Sequence, residues 1–335
     1  MSLPTLPEVL TVATHGYGAL RPAIASGELR RVRRGAYRRP AAGEQRWQSQ
    51  QRDTLARCVA VAERLECEFA FSHQTAALLL GWPVAMQPQV HLTQTSHPSK
   101  CRQDDLTRHF ASTLPEQDLT RVHGLPVTSP ERTLLDCARI LPAPEGLIVC
   151  DGGLRVLASM SNFDRIDSLE RQAVLRRALL ARLSALGPVR NVVRARAVLR
   201  HADGLSQSPG ESRVRWLGLA IGLPEPTLQW QVTCDGDRYF TDIAWLGEQW
   251  TVAAEYDGAI KYGTASATPQ ALVAEKIRED RIRATGAAVV RFTSSDLADL
   301  AGARSRLLAA FPPSVAASLT PRSGLALRQS GRRRR

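Results

Sequence analysis

The sequence lacks the cysteine patterns of a disulfide framework or a zinc site. Its six cysteines are scattered, with no CxxC pair and no regular spacing, so we interpret them as reduced and mostly buried thiols. No apolar run approaches the roughly 20 residues that are needed to span a bilayer, and the N-terminus lacks a basic segment followed by a long apolar one. These absences exclude a membrane-spanning chain and predict a soluble, cytoplasmic protein.

Acidic residues are too few to balance the basic ones. The 44 Lys and Arg against 32 Asp and Glu give a formal net charge of +12, which favours an anionic partner, with nucleic acid as the first candidate. Residues 313–335 contain no acid and are predicted to be a basic, disordered tail. Six arginines of the final stretch carry half of the excess charge: Arg322, Arg328, Arg332, Arg333, Arg334 and Arg335.

The length of 335 residues exceeds the roughly 250 to 300 residues at which single cores stop growing. We therefore predict a mixed, multidomain α/β fold. Its parts are a winged-helix-like unit at 1–42, an α+β middle domain at 47–157, a helical connector at 158–205 and a C-terminal domain at 206–312. The connector is rich in arginines, which either line a nucleic-acid groove or face solvent.

A basic hairpin is predicted at the end of the first unit. Six arginines fall within ten residues around a glycine, RRVRRGAYRR. Apolar and basic residues that interleave in this way suit the wing of a winged helix, whose arginines meet DNA phosphates. The predicted DNA contacts are Arg30, Arg31, Arg33, Arg34, Tyr37 and Arg38. The alternative is a solvated basic hairpin without a ligand. In the middle domain, His73 and His91 are interpreted as packed or capping residues, and no chemistry is assigned there.

The strands RYFTDIAW and WTVAAEYD of the C-terminal domain are predicted to pair as a hairpin. A two-residue turn at Gly247-Glu248 sets Trp245 opposite Trp250 and Asp242 opposite Ala253. Because side chains alternate between the faces of a strand, one face collects acidic residues and the other is apolar. The acidic face comprises Asp242, Ala253, Glu255 and Asp257. The core face comprises Ile243, Trp245, Trp250, Val252 and Tyr256.

Carboxylates packed together repel one another unless they bind a metal or meet basic side chains. In the predicted register, Asp242 and Glu255 are diagonal neighbours that can reach one divalent cation. No histidine follows His201, and an oxygen-only site favours Mg²⁺ or Mn²⁺ over zinc. Lys261 and Lys276 are the available bases, which support an attacking water or a developing oxyanion. The chemistry indicated is phosphodiester hydrolysis.

Glu211 is the acid on the preceding helix. The spacing Ser208-x-x-Glu211 matches a capping box, in which the glutamate bonds a backbone amide at the helix start. Capping and catalysis therefore both remain open for this residue. The combination of an acid on a helix, an acid on one strand and an acid pair on the next favours the catalytic interpretation.

Four segments of the C-terminal domain carry a family resemblance: SPGESRVR, YFTDIAW, EYDGAIKYG and AEKIREDRIRATGAAVVRFTSSDL. They resemble the Vsr-like endonuclease domains of the PD-(D/E)XK restriction-endonuclease fold, which implies an α-β-β-β-α-β core. The resemblance implies that Glu211, Asp242 and Glu255 bind the metal, while Asp257 stands where a lysine is often found and Lys261 where a histidine is often found. Residues implied to organise the site or contact phosphates are Lys276, Asp280, Arg283 and Arg291.

The upstream segments RRVRRGAYRRP, FSHQTAALLLGWP, VHLT and GLPVTSPERTLLDCAR are similar to AbiEi-type antitoxins of type IV toxin-antitoxin systems. This implies a winged helix that binds promoter DNA and a nucleotidyltransferase-like toxin encoded nearby. Two functions are thus expected: a Mg²⁺-dependent DNA endonuclease with a DNA-binding module, or a transcriptional autoregulator and antitoxin whose nuclease-like domain is catalytically silent. A homodimer is compatible with both. A third interpretation, a scaffold whose acids cap helices, predicts no metal affinity.

Overall fold

The computed structural model describes residues 3–85, 89–97, 105–234, 237–258, 278 and 281–326. Their fold is mixed α/β with three sheets, as the sequence predicts. The chain divides into two compact units, Met1–Cys137 and Ala138–Arg335, and the finer domain boundaries stay predictions. Within the described ranges, no helix combines the length and the apolar character needed to cross a bilayer.

The first unit begins with two short helices and a three-stranded antiparallel sheet of order β1-β3-β2. The elements are β1 (Leu10–Thr11), α1 (Val12–His15), α2 (Tyr17–Ala25), β2 (Arg30–Arg33) and β3 (Ala36–Arg38). The hydroxyl of Thr11 accepts a hydrogen bond from the Thr14 N–H and caps α1. Gly35 turns the β2–β3 hairpin with a φ of 74°, a conformation that glycine adopts without steric cost. A helix pair followed by a hairpin is the arrangement that the sequence predicts.

A five-stranded sheet of order β6-β5-β4-β8-β7 completes the first unit. Its elements are α3 (Arg46–Ala62), β4 (Phe69–Phe71), α4 (His73–Leu79), β5 (Val90–Gln94), β6 (Leu106–Phe110), β7 (Leu119–Val122), β8 (Leu125–Thr128) and α5 (Pro130–Ile140). Strands β5 and β6 are parallel, as are β4 and β8. The apolar residues of α3 and α4 pack on one side of this sheet, against Val90, Leu92 and Leu106.

Helices dominate the start and the end of the second unit. They are α6 (Ala143–Leu157), α7 (Arg165–Ala185), α8 (Val192–His201), α9 (Pro209–Ile221), α10 (Leu300–Ala309) and α11 (Pro313–Ser318). Arg215 on α9 donates to both carboxylate oxygens of Asp151 on α6 at 2.6 Å, and both side chains are buried. Such a bidentate pair fixes the two helices against each other.

The second unit contains a four-stranded sheet of order β12-β11-β10-β9. Its strands are β9 (Thr227–Cys234), β10 (Asp237–Leu246), β11 (Thr251–Tyr256) and β12 (Ala287–Phe292). Neighbours are antiparallel except for β11 and β12, which run parallel. Residues 281–284 are helical, and most of the helix predicted before β12 lies outside the described residues.

The register of the β10–β11 hairpin differs by two residues from the predicted one. Trp245 pairs with Val252 and Ile243 with Ala254, because the connection is a four-residue loop at 247–250 in which the Gly247 N–H donates to the Trp250 carbonyl. The prediction that Trp245 faces Trp250 is therefore wrong. A shift of two keeps every side chain on its predicted face, and the core face is confirmed by Ile243 and Val252, each 1% exposed.

Two glycines bring α9 close to the sheet. A Cβ atom at Gly210 would lie 2.1 Å from the Tyr256 ring, and one at Gly218 would lie 2.6 Å from Trp245. Both distances are shorter than any side chain tolerates, so the helix packs on the core face only because these positions carry no side chain. The first contact holds the start of α9 at the end of β11, where the predicted acids are found.

Candidate functional site

Glu211 occupies the first turn of α9, where it makes capping hydrogen bonds and also interacts electrostatically with Asp242. The Ser208 hydroxyl accepts from the Glu211 N–H at 3.1 Å, and the Glu211 carboxylate accepts from the Gln207 N–H at 2.8 Å. The predicted capping role is thus present, with the carboxylate bonding the amide before the cap residue. Burial, followed by the charge of Asp242, raises the pKa of Glu211 to about 7. A carboxyl group with such a pKa is about half protonated near neutral pH.

Asp242 lies on β10 between α9 and β11. Extending the observed register by one residue sets it directly opposite Glu255, whereas the predicted register made the two residues diagonal neighbours. One of its carboxylate oxygens accepts from the Tyr256 N–H at 2.9 Å. The negative charge of Asp242 contributes to the raised pKa values of both Glu211 and Glu255, so the three acids form one electrostatic cluster.

Glu255 and Asp257 meet arginines that follow from the strand order. Parallel pairing of β11 with β12 sets Arg291 beside Glu255, and the guanidinium lies 3.3 Å from Glu255 and 3.4 Å from Asp257. Arg278 contacts the other Glu255 oxygen. Burial raises the pKa of Glu255, while Arg278 and Arg291 oppose that rise. Arg291 thus contacts the acids, which corresponds to the first of the two roles implied for it, organising the site or contacting phosphates.

The donor set agrees in part with the predicted Mg²⁺ or Mn²⁺. Glu211, Asp242 and Glu255 offer the carboxylate oxygens that hard cations take. Both oxygens of Glu255 already contact guanidinium groups, so an ion bound there has to displace Arg278 or Arg291. Glu255 and Asp257 are neutralised by these arginines, and a cation bound at Glu255 would replace one of the contacts.

Three residues predicted at this site fall in the part of the chain that the structure does not describe. Lys261, Lys276 and Asp280 lie outside the described residues. Arg283 is exposed, as expected of a phosphate contact. Sequence reasoning missed Arg278, and the signal that could have found it is the concentration of basic residues after the acid-bearing strand.

The basic hairpin presents part of its predicted arginines to solvent. Arg31 and Arg34 are exposed. Arg33 is partly buried and lies 3.4 Å from Asp105, while Arg30 pairs with Asp53 at 3.0 Å and remains half exposed. The exposed pair at the hairpin is thus the surface that remains for phosphates.

Two predicted DNA contacts are instead structural. Arg38 is 1% exposed and its guanidinium lies 2.6 Å from Asp53 and 2.9 Å from Glu44. Tyr37 is buried against Leu20 and Leu29. The prediction failed here because every side chain of β3 is buried, so neither residue is available to contact DNA.

The comparison with known proteins concerns the part of the sequence between the basic hairpin and the acidic cluster. Residues 70–201 match the AbiEi antitoxin C-terminal domain. The match runs from β4 to the end of α8 and agrees with the predicted AbiEi resemblance. The basic hairpin lies before the matched residues, and the acidic cluster lies after them.

The relatives that match this chain do not indicate its function. Two uncharacterized proteins of Mycobacterium tuberculosis, one from strain CDC 1551 / Oshkosh and one from strain H37Rv, are each 28% identical over 180 residues. The aligned part is 53% of this chain and 59% of each relative, so the chain spans little more than half the length of the proteins it matches. No solved structure matches.

Proposed function

We propose that this chain is a DNA-binding autoregulator of the antitoxin type, whose N-terminal hairpin contacts operator DNA. The observation that carries the proposal is the AbiEi antitoxin match at residues 70–201, preceded by a helix pair and a hairpin with exposed arginines. A nucleotidyltransferase-like toxin encoded beside it is the corresponding partner. A net charge of +12 favours association with DNA at any sequence.

Gel-shift titration with the DNA upstream of its own coding sequence tests the proposal. Replacing Arg31 or Arg34 by alanine removes one charge each from the hairpin tip. We expect weaker binding and a log–log salt slope that is shallower by about 0.9 for each lost phosphate contact. Arg304→Ala is the matched control, because Arg304 is exposed on α10 and its loss changes the net charge equally. Equal salt slopes for all three variants would show that the hairpin does not contact DNA.

A second candidate function is metal-dependent DNA cleavage in the second unit. It is favoured by the convergence of Glu211, Asp242, Glu255 and Asp257, in which Glu211 has a pKa of about 7. A perturbed acid in a cluster of this kind is typical of catalytic sites. A divalent cation would supply charge neutralisation at the phosphodiester, Asp242 and Glu211 would hold it, and Glu255 would join them on release from Arg278 or Arg291.

The nuclease proposal is tested with supercoiled plasmid, purified wild type and an Asp242→Asn variant, each with Mg²⁺, Mn²⁺ or chelator. We expect relaxation or cleavage by wild type only, and none with chelator. Asp237→Asn serves as control, since Asp237 is an exposed acid at the other end of β10. Chelator-sensitive cleavage that persists in Asp242→Asn would contradict the assignment of Asp242 to the metal site. A plasmid that stays intact under every condition would contradict the nuclease proposal and restrict the C-terminal domain to DNA binding.

A further inference from the structure

Three histidines from separate elements converge in the first unit, away from the hairpin and the acids. His73 begins α4, His91 lies on β5 and His109 lies on β6. One ligand atom of each lies within 4.8 Å of the other two. Strands β5 and β6 are parallel with Thr93 beside His109, so His91 and His109 share one face of the sheet. The sequence interpretation of His73 and His91 as separate packing residues missed this convergence, because His109 comes from a strand that pairs across a long connection.

The backbone holds His73 against the two strand histidines. The Ser72 N–H donates to the His91 carbonyl at 3.0 Å, which places the start of α4 beside β5. His73 has a φ of 54°, a left-handed conformation that is uncommon outside glycine and is often found at functional sites. Its Nδ1 lies 2.8 Å from the Ser72 hydroxyl. Oxygen partners of this kind fix the orientation of metal-bound imidazoles.

Burial and neighbouring charges act on the two strand histidines. Burial lowers the pKa of His91. Burial, followed by the charges of His91 and Arg132, lowers the pKa of His109 to about 4. Arg132 itself is balanced by Asp118 at 3.1 Å and Asp136 at 2.9 Å.

The distances are close to those of a tetrahedral site. His91 Nδ1 and His109 Nε2 share a hydrogen bond of 3.1 Å, which a bound ion would replace, and two nitrogens bound to one zinc ion at 2.0 to 2.1 Å are about 3.3 Å apart. The third imidazole has to approach by roughly 1 to 2 Å, which rotation about side-chain torsions allows. That movement breaks the stacking of the His73 and His109 rings, whose centroids are 3.8 Å apart.

A polar atom beside the histidines has no partner. Thr93 Oγ1 is buried and makes no hydrogen bond within the part of the chain that the structure describes. Thr93 is two residues from His91 on the same strand and pairs with His109, so its hydroxyl is on the histidine face. Buried hydroxyls without partners are rare, and a water bound to a metal would satisfy this one.

We propose that His73, His91 and His109 bind one Zn²⁺ ion, or a similar divalent transition metal, with water as the fourth ligand. Three imidazoles select such metals over Mg²⁺, so the site is chemically distinct from the carboxylates of the second unit. The ion ties the start of α4 to β5 and β6 and stabilises the five-stranded sheet.

Cobalt is the probe, because Co²⁺ adopts zinc geometries and absorbs visible light. The full chain, first stripped of metal, is titrated with Co²⁺ while the visible spectrum and the thermal midpoint are recorded. We expect one equivalent to give the ligand-field bands of a tetrahedral site, to raise the midpoint, and to be displaced by Zn²⁺. His91→Gln and His109→Gln should each weaken binding by at least about tenfold.

Two controls separate this site from others. His123→Asn removes an exposed histidine of the first unit, and Asp242→Asn alters the acidic cluster; both should bind Co²⁺ as wild type does. Equal binding by His91→Gln and His109→Gln, thiolate-to-cobalt charge-transfer bands, or no binding by wild type would overturn the proposal. If the glutamine variants lose the circular dichroism spectrum of the folded chain, acylation of the histidines in wild type tests the proposal instead. Zn²⁺ should protect His73, His91 and His109 from acylation but leave His123 reactive.

Discussion

Glu211 shows how one side chain can serve stability and chemistry in opposite directions. Its pKa of about 7 is above the ordinary value of 4.5, so the folded chain binds a proton more tightly than the unfolded chain does. The stability from this residue is therefore complete below about pH 4.5 and is lost as the pH rises through about 7. Capping alone does not require a carboxyl group that is buried beside a second acid, and this burial supports the proposal that the cluster binds a ligand.

We expect Glu211→Gln to stabilise the second unit at pH 8 by about 2 to 3 kcal/mol and to change little at pH 4.5, since a pKa unit corresponds to about 1.4 kcal/mol. The glutamine oxygen can still accept from the Gln207 N–H. Urea unfolding of the full chain at both pH values measures the difference. Glu248→Gln, at an exposed position of the hairpin loop, is the matched control and should show no pH-dependent change. A variant that is equally destabilised at both pH values would assign Glu211 to capping alone.

At the scale of elements, the contact between α9 and the sheet positions the acids. Gly210 leaves room for the Tyr256 ring, and the backbone of Tyr256 in turn donates to Asp242. A methyl group at Gly210 would push the helix start away from β11, and with it Glu211. The acidic cluster thus depends on a residue that carries no functional group.

We expect Gly210→Ala to lower stability by about 1 to 3 kcal/mol, the range for overpacking, and to abolish any metal or nuclease function of the acids. Thermal unfolding and plasmid cleavage measure the two effects. The control is Gly18→Ala, because Gly18 is a helical glycine of α2 with no atom near its missing Cβ, and alanine favours helices by up to about 1 kcal/mol. A Gly210→Ala variant as stable as Gly18→Ala would contradict the close packing.

The hairpin shows which features of the elements could be predicted from the sequence. The alternation of side chains was read correctly, because a period of two survives an even shift in register. The predicted register is wrong, because Gly247 opens a four-residue loop and does not form a two-residue turn with Glu248. The partners of Glu255 could not be predicted, because they require the parallel pairing of β11 with β12, whose connection is long. The histidine cluster was missed for the same reason.

On the scale of the whole molecule, the boundaries of the family match differ from the boundary between the two compact units. The AbiEi match at 70–201 crosses the division between the units at Cys137 and Ala138. Neither unit alone therefore contains the matched domain. Experiments on DNA binding and metal binding require the full chain for this reason.

The distribution of charge leads to a prediction for the complete chain. Five arginines, Arg328, Arg332, Arg333, Arg334 and Arg335, follow the last described residue. If they attract DNA without reading its sequence, deletion of 327–335 lowers affinity for operator and random DNA by the same factor and reduces the salt slope by up to about 4.5 units.

Salt-dependent gel shifts of the deletion, of Arg34→Ala and of their combination measure this contribution. Distant sites contribute independently, so the combined variant should lose the sum of the two slopes, while the ratio of operator to random affinity stays constant on deletion. A changed ratio would mean that the tail takes part in sequence recognition. An unchanged slope would mean that the arginines do not reach DNA. The charge of the remaining chain, about +7, would then account for all of the electrostatic attraction, concentrated at surfaces such as the hairpin tip.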